Sequence, residues 1–143
     1  MTLPRHTLRK AERINSKITI DRLFTGGSKS MLAFPVRAVY SITEQTSAPC
    51  PPAAILVSVS KRHFKHAVKR NRVKRQIREA YRLNKHILWQ AVEGSGKHID
   101  VAFIWLSDTI ETSEVVHRKV VNLLQRIAEK LTANTESHEE PAQ

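Results

Sequence analysis

Cysteine is scarce in this sequence, and long apolar runs are absent. Cys50 is the only cysteine among the 143 residues, so the chain cannot form an internal disulfide, and its setting, APCPPA, is typical of a turn rather than of an activated thiol. No apolar run approaches the roughly 18 residues of a membrane-spanning helix. The first residues, MTLPRHTLRKAER, lack the apolar core of a signal peptide. We therefore expect a cytoplasmic protein without a membrane partner.

Acidic residues are also few. The sequence holds 13 Asp and Glu against 24 Lys and Arg, which gives a formal net charge of +11 and a pI of about 10.3. A positive field of this size attracts nucleic acid or an anionic lipid surface, and composition alone does not separate the two. At 143 residues with 41% hydrophobic content, the chain fits one domain with one core.

The apolar pattern predicts one α+β sandwich over residues 16–131. A short helix in KITIDRLFTGG follows a cap at Asn15 or Ser16 and ends at the two glycines. Alternating apolar residues predict strands in FPVRAVYSI, AAILVSVS and HIDVAFIWLS, and Pro35 places the first of them at a sheet edge. We expect a small, mostly antiparallel sheet of about four strands, with a central strand-helix-strand crossover and three helices.

The two ends of the chain differ in composition from this domain. Residues 1–15 are basic and have little apolar periodicity, so we expect a poorly ordered arm that follows a phosphate backbone. Residues 132–143, TANTESHEEPAQ, are acidic and poor in apolar side chains. This composition predicts a disordered tail.

The segment VKRNRVKRQIREAYR, residues 68–82, predicts a helix with an apolar side and a basic side. At 100° per residue, the apolar side chains that must pack on the sheet fall together: Val73, Ile77, Ala80, Tyr81 and Leu88. The other side carries a stripe about 16 Å long. We call this set the basic stripe: Asn71, Lys74, Arg75, Arg78 and Arg82.

The basic stripe favours an RNA partner. Like charges at these spacings destabilise an isolated helix by a few tenths of a kcal/mol per pair, and phosphates opposite the stripe would reverse the sign. Arginine suits bidentate contact with phosphate oxygens, and the Asn71 amide can accept a hydrogen bond from a ribose 2′-hydroxyl. Such donors favour RNA over lipid headgroups.

The same segment resembles the Arg-Asn-Arg signature of the bacterial ribonuclease P protein family. The resemblance extends over Leu8 to Leu131, through LRKAERI, RLFTGG, ILVSVSKR and HAVKRNRVKRQIREAYR. Two positions depart from the family pattern: Lys65 and His66 stand where members often carry glycine and asparagine, and Ile20 stands where many have a second aromatic residue. The first departure affects the entry into the helix, and the second leaves one aromatic side chain in the short helix.

The resemblance implies a fold, a function and a set of contacts. The fold would be an α/β sandwich with a left-handed crossover. The protein would be the partner of a catalytic RNA that removes the 5′ leader of precursor tRNA, with magnesium ions held mainly by that RNA and no catalytic residue in the protein. Phe24 would stack on a leader base, and Arg37 would meet leader phosphate. The expected RNA-binding residues are Lys61, Arg62, Lys65, Lys69, Arg70, Asn71, Arg72, Lys74, Arg75, Arg78 and Arg82.

Other functions remain open from the sequence. The main alternative is a ribosomal or other structural RNA-binding protein, because its basic arm and helix would look the same. A protein-only nuclease would need an acid and a base, for which His63, His66, His86 and His98 are candidates, yet none pairs convincingly with another. His63 and His66 could ligate a metal, but no Asp, Glu or Cys stands nearby to complete a site, so no metal site is expected. A helix-turn-helix DNA binder fits less well, since one basic helix lies between strands. No obligate protein partner is expected.

Overall fold

The structure, a computed structural model, describes residues 8, 10–14, 16–25, 28–44, 51–93 and 95–139. The glycines expected to end the first helix, Cys50, and residues 1–7 and 140–143 of the expected arm and tail lie outside this part. The described elements, in chain order, are the 3₁₀ helix Lys10–Glu12, α1 Lys17–Phe24, β1 Lys29–Ala33, β2 Val36–Glu44, β3 Ala53–Ser58, α2 Ala67–Asn84, α3 His86–Val92, β4 Lys97–Trp105 and α4 Ser113–Glu139.

The four strands form one mixed sheet in the order β1-β2-β4-β3. β1 pairs with β2 and β2 with β4 in antiparallel fashion, whereas β3 and β4 are parallel. Parallel neighbours require a crossover, and α2 and α3 supply it between β3 and β4. The predicted α+β class, the four strands and the strand-helix-strand unit are confirmed; the left-handed sense of the crossover stays a prediction.

The main core lies between one face of the sheet and the helices α2, α3 and α4. Val36, Ala38 and Tyr40 alternate along β2 toward this core, as predicted. Phe34, the first residue of the strand predicted in FPVRAVYSI, was expected on the same face but is 59% exposed. That prediction was wrong because the chain turns at Phe34 and Pro35 between β1 and β2, which also makes β2 a central strand rather than an edge.

A smaller apolar cluster covers the opposite face of the sheet. It joins Ile14 and Leu23 to Val39, Ala54 and Ala102 of the three longer strands. Leu23 is completely buried, so α1 is held on this face by its apolar stripe. We call this face, which carries α1, the α1 face.

The expected count of three helices was wrong, because the basic helix is divided at Lys85. α2 ends at Asn84, and α3 begins at His86. Lys85 is only 1% exposed, and its Nζ lies 2.6 Å from Oε1 of the fully buried Glu12. The side chain therefore points into the protein between the two helices, while Leu88 stays in the main core as predicted.

Regular structure is described on both sides of the expected domain boundaries at residues 16 and 131. Ile14 is buried, its N–H donates to the Ile55 carbonyl at 2.8 Å, and Arg13 forms a bridge to the same β3 residue. Residues 10–14 therefore pack along the outer edge of β3 instead of belonging to a loose arm. At the other end, α4 continues to Glu139, since each added helical residue gains a backbone hydrogen bond.

Candidate nucleic-acid interface

The basic stripe lies on the outer side of α2, where packing of the inner side places it. Val73, Ile77 and Tyr81 are completely buried against the sheet, so the residues opposite them face outward. Asn71 and Arg75 are exposed. The remaining members of the stripe are half-buried: Lys74, Arg78 and Arg82.

Arg13 extends the basic stripe toward the edge of the sheet. Burial lowers the pKa of Arg78, and the charge of Arg13 lowers it further. The two guanidinium groups therefore lie close enough to repel each other, although 65 positions separate them in the sequence. Sequence reasoning placed Arg13 in the arm and missed this contact, because only the docking of residues 10–14 on β3 brings it about.

Arg82 already has a carboxylate partner. Its guanidinium donates to both carboxylate oxygens of Glu79, with Nε at 3.1 Å from Oε2. The hydrogen bond from Arg82 lowers the pKa of Glu79. Any phosphate that approaches this end of the stripe must compete with Glu79, so Arg82 is less available than Arg75.

Arg70 holds the loop that precedes α2. Its Nη1 donates to the carbonyl oxygens of Phe64 at 2.8 Å and Lys65 at 2.9 Å. Phe64 is buried at the foot of the same loop. The sequence predicted an RNA contact for Arg70, and the structure gives its guanidinium a second task that fixes the loop backbone.

Exposed cations of this loop and of the first two turns of α2 lie beside the stripe. His63 anchors the loop from the other side, with its Nδ1 2.6 Å from Oδ1 of Asp108. Two contacts therefore hold the loop in place, one from α2 and one from the segment after β4. The exposed cations beside the stripe are Lys61, Arg62 and Lys65 of the loop and Lys69 and Arg72 of α2.

The two residues predicted for a leader cleft lie on elements of the α1 face. Phe24 ends α1 and is 50% exposed. Arg37 pairs in register with Leu32 and Ile104 and donates from Nε to the Ser30 hydroxyl at 2.9 Å. It lies two residues before Val39 of the smaller cluster and therefore on the same face of the sheet. The structure therefore places a fixed guanidinium and an exposed aromatic ring on the side of the sheet that α1 covers.

A buried carboxylate of β4 also ties α1 to the sheet. Asp100 of β4 accepts from Arg22 at 3.5 Å and contacts His98 Nε2 at 2.8 Å. His98 Nδ1 lies 2.9 Å from the Pro51 carbonyl oxygen. The hydrogen bond to Asp100 raises the pKa of His98, against the effect of burial, since both ring nitrogens face acceptors.

The candidate histidines are not arranged as a catalytic pair. From the sequence, no histidine pairs convincingly with another; in the structure, His63 contacts Asp108 and His98 contacts Asp100. The first pair joins residues far apart in the chain, which spacing cannot reveal. Among the described residues, no group of three His, Cys, Asp or Glu side chains is placed to hold a metal ion.

Comparison with known proteins decides the family. The family model for ribonuclease P matches residues 8–128. The chain belongs to the ribonuclease P protein family. A ribonuclease P protein component from Porphyromonas gingivalis is 40% identical over 121 residues, covering 85% of this chain and 86% of that protein. One from Chlorobaculum tepidum is 33% identical over 129 residues, covering 85% and 83%.

Solved structures of ribonuclease P proteins share the fold. The protein from Thermotoga maritima superposes with a TM-score of 0.60 at 21% identity, covering 80% of this chain and 96% of that one. The protein from Staphylococcus aureus gives a TM-score of 0.60 at 21% identity, covering 83% and 96%. Within the described part of the chain, no helix is long and apolar enough to cross a membrane.

Proposed function

We propose that this ribonuclease P protein binds the catalytic RNA and the 5′ leader of precursor tRNA, and so assists magnesium-dependent removal of the leader. The observation that carries the proposal is the cationic surface of α2 and its preceding loop. Its arginines and lysines greatly outnumber its acids, and Glu79 offsets only Arg82. RNA phosphates are the partner that neutralises such a surface. Family membership disfavours the alternative of a ribosomal or purely structural RNA-binding protein.

The leader is proposed to lie across the α1 face. There Arg37, held by Ser30, offers a phosphate contact, and the half-exposed ring of Phe24 offers a surface for base stacking. The basic stripe and Arg13 extend from α2 to the β3 edge of the same sheet. One RNA partner on α2 and a single strand on the α1 face would therefore meet along this edge.

The protein is proposed to contribute binding, and the RNA to contribute the chemistry. The described carboxylates and histidines do not fit a magnesium site, since no three of them converge. Magnesium ions are proposed to be held mainly by the RNA partner, where they would activate water and stabilise the leaving oxygen. We propose a cytoplasmic location and no obligate protein partner.

A reconstitution experiment tests this function. Precursor tRNA labelled at its 5′ end is incubated at low magnesium with a bacterial ribonuclease P RNA, with this protein, or with both. We expect cleavage at the mature 5′ end with both components and none with the protein alone. An RNA whose activity is unchanged by the protein would refute the proposal.

Charge variants then identify the surface. Arg75→Ala removes an exposed member of the basic stripe, and Arg118→Ala removes an exposed arginine of α4 as a matched control. The first should weaken RNA binding and reduce the salt dependence of log K by about 0.7 to 0.9, as expected for one phosphate contact. The control should change neither quantity. Equal effects of both variants would argue against a defined surface on α2.

A further inference from the structure

A cationic groove lies at the opposite edge of the sheet from the basic stripe. It has a volume of about 810 Å³ and lies between β1 and the later turns of α4. Because β1 and β3 are the two outer strands, roughly 14 Å separates their axes across the sheet. We call this the β1–α4 groove: Lys29, Ser30, Met31, Tyr40, Arg126, Glu129 and Lys130 line it.

The walls of the groove carry an excess of positive charge. Lys29 and Lys130 are exposed, and Arg126 is fixed by its Nη1 hydrogen bond to the Leu32 carbonyl at 2.8 Å. Glu129 is the single acid among the lining residues. Three cations beside one carboxylate suit a ligand with an anionic group and a hydroxyl next to it, as in a ribose phosphate.

Tyr40 adds a hydroxyl to the wall of the groove. It is 2% exposed and pairs in register with Lys29, so its side chain lies beneath the groove that it helps to line. The hydroxyl makes no hydrogen bond to a described residue and is not among the buried side-chain atoms that lack a partner, so it is open to the groove. Burial raises the pKa of Tyr40, which keeps the phenol protonated and able to donate.

We propose that the β1–α4 groove is a second phosphate-binding site, which holds the ribose-phosphate backbone of an RNA strand. Lys29, Arg126 and Lys130 contact the phosphate, the Tyr40 hydroxyl donates to one of its oxygens, and Glu129 accepts from the adjacent 2′-hydroxyl. The inference deepens the proposed function, on which it rests, by adding a contact remote from α2. The protein then spans two RNA segments, and each contact raises the effective concentration of the other.

The first experiment uses free protein and inorganic phosphate, and so does not depend on the proposed function. Amide and Tyr40 ring signals are followed by NMR while chloride is replaced by phosphate at matched ionic strength. We expect saturable shifts in residues 29–31 and 126–130, and their loss in a variant that combines Lys29→Gln with Lys130→Gln. Absence of saturable shifts in these segments would overturn the phosphate site.

The second experiment asks whether RNA is the source of the phosphate. Binding of a bacterial ribonuclease P RNA is measured against salt for the wild type, Lys130→Gln and Lys119→Gln. Lys119 lies three turns earlier on nearly the same side of α4, so it is a matched control. Lys130→Gln should reduce the slope by about 0.7 to 0.9 and Lys119→Gln should not. Wild-type binding with an unchanged slope for Lys130→Gln would refute RNA as the ligand while leaving the proposed function intact.

Tyr40→Phe separates binding from folding. The substitution removes only the hydroxyl and keeps the ring in the core, so the melting temperature of the free protein should stay the same. Loss of one hydrogen bond to a phosphate should weaken binding of the same RNA about 2- to 10-fold. A variant with unchanged RNA affinity, or one that only loses stability, would show that Tyr40 has a packing role alone.

Discussion

Replacing Lys85 by methionine removes the charge that compensates Glu12 inside the protein. The two side chains are 1% and 0% exposed, and their charged atoms are 2.6 Å apart. Removal of one member of such a buried ion pair costs about 3 to 5 kcal/mol. Lys85 Nζ also lies 4.8 Å from the centre of the Trp89 ring, a contact that contributes about 1 kcal/mol more.

The loss is large compared with the stability of a typical domain, which is about 5 to 15 kcal/mol. We expect Lys85→Met to lower the melting temperature by roughly 10 to 20 °C. Glu12→Leu alone should also destabilise, because it leaves the ammonium buried. The double variant should regain most of the loss, since an apolar pair of similar size removes both buried charges.

Urea unfolding followed by circular dichroism measures all four proteins of this cycle. Lys97→Met is the control, because its ion pair with Glu44 lies on the surface, with the two side chains 44% and 75% exposed, and should contribute less than about 1 kcal/mol. A coupling energy between Glu12 and Lys85 below about 1 kcal/mol would refute the reasoning. So would a loss in Lys85→Met no greater than that in the control.

Three further predictions concern charged side chains. Because the folded protein raises the pKa of His98, the stability from its two hydrogen bonds is fully present below the unfolded value of about 6.5 and lost as pH rises through the folded value. The free energy of unfolding, measured at several pH values, should therefore decrease as pH rises, and His98→Gln should abolish this decrease. An equal decrease in the variant would contradict the assignment. Arg70→Ala should lower the free energy of unfolding by about 1 to 3 kcal/mol because two carbonyl groups lose their donor, whereas Arg72→Ala should change it by no more than about 0.5 kcal/mol in the same urea assay. Equal losses in the two variants would contradict a role of Arg70 in holding the loop. Sulfate should raise the melting temperature above that in chloride at matched ionic strength by binding near Arg78 and Arg13, and Arg78→Gln should reduce this difference. Identical melting temperatures in the two salts would contradict this prediction.

The parts of the fold that could be predicted from the sequence are those in which apolar residues recur with a regular period. Val116, Val120 and Leu124 recur at helical spacing along α4, and all three are completely buried. The alternation of Val101 and Phe103 in β4 likewise identified the core face of a central strand. The basic stripe was predicted for the same reason, since one side of α2 must be apolar to pack.

The parts that were missed depend on contacts between distant segments. Lys85 looks like another solvated cation of a basic helix, and only Glu12, 73 positions earlier, explains its burial. β1 was not predicted because its burial alternates weakly, with Met31 as its one buried residue. The acidic partners of His63 and His98 were missed because loop packing and strand geometry decide them.

The docking of residues 10–14 along β3 also bears on how copies of the protein behave toward one another. A free sheet edge is a template on which a second chain can add a strand. Here the Ile14 N–H donates to the Ile55 carbonyl at one edge, and the Arg126 guanidinium donates to the Leu32 carbonyl at the other. A chain shortened to begin at Ser16 would leave β3 uncovered and, in addition to losing Glu12, would gain a tendency to self-associate. The same few residues that anchor the start of the fold thus help to keep this highly charged protein free of intermolecular strand pairing.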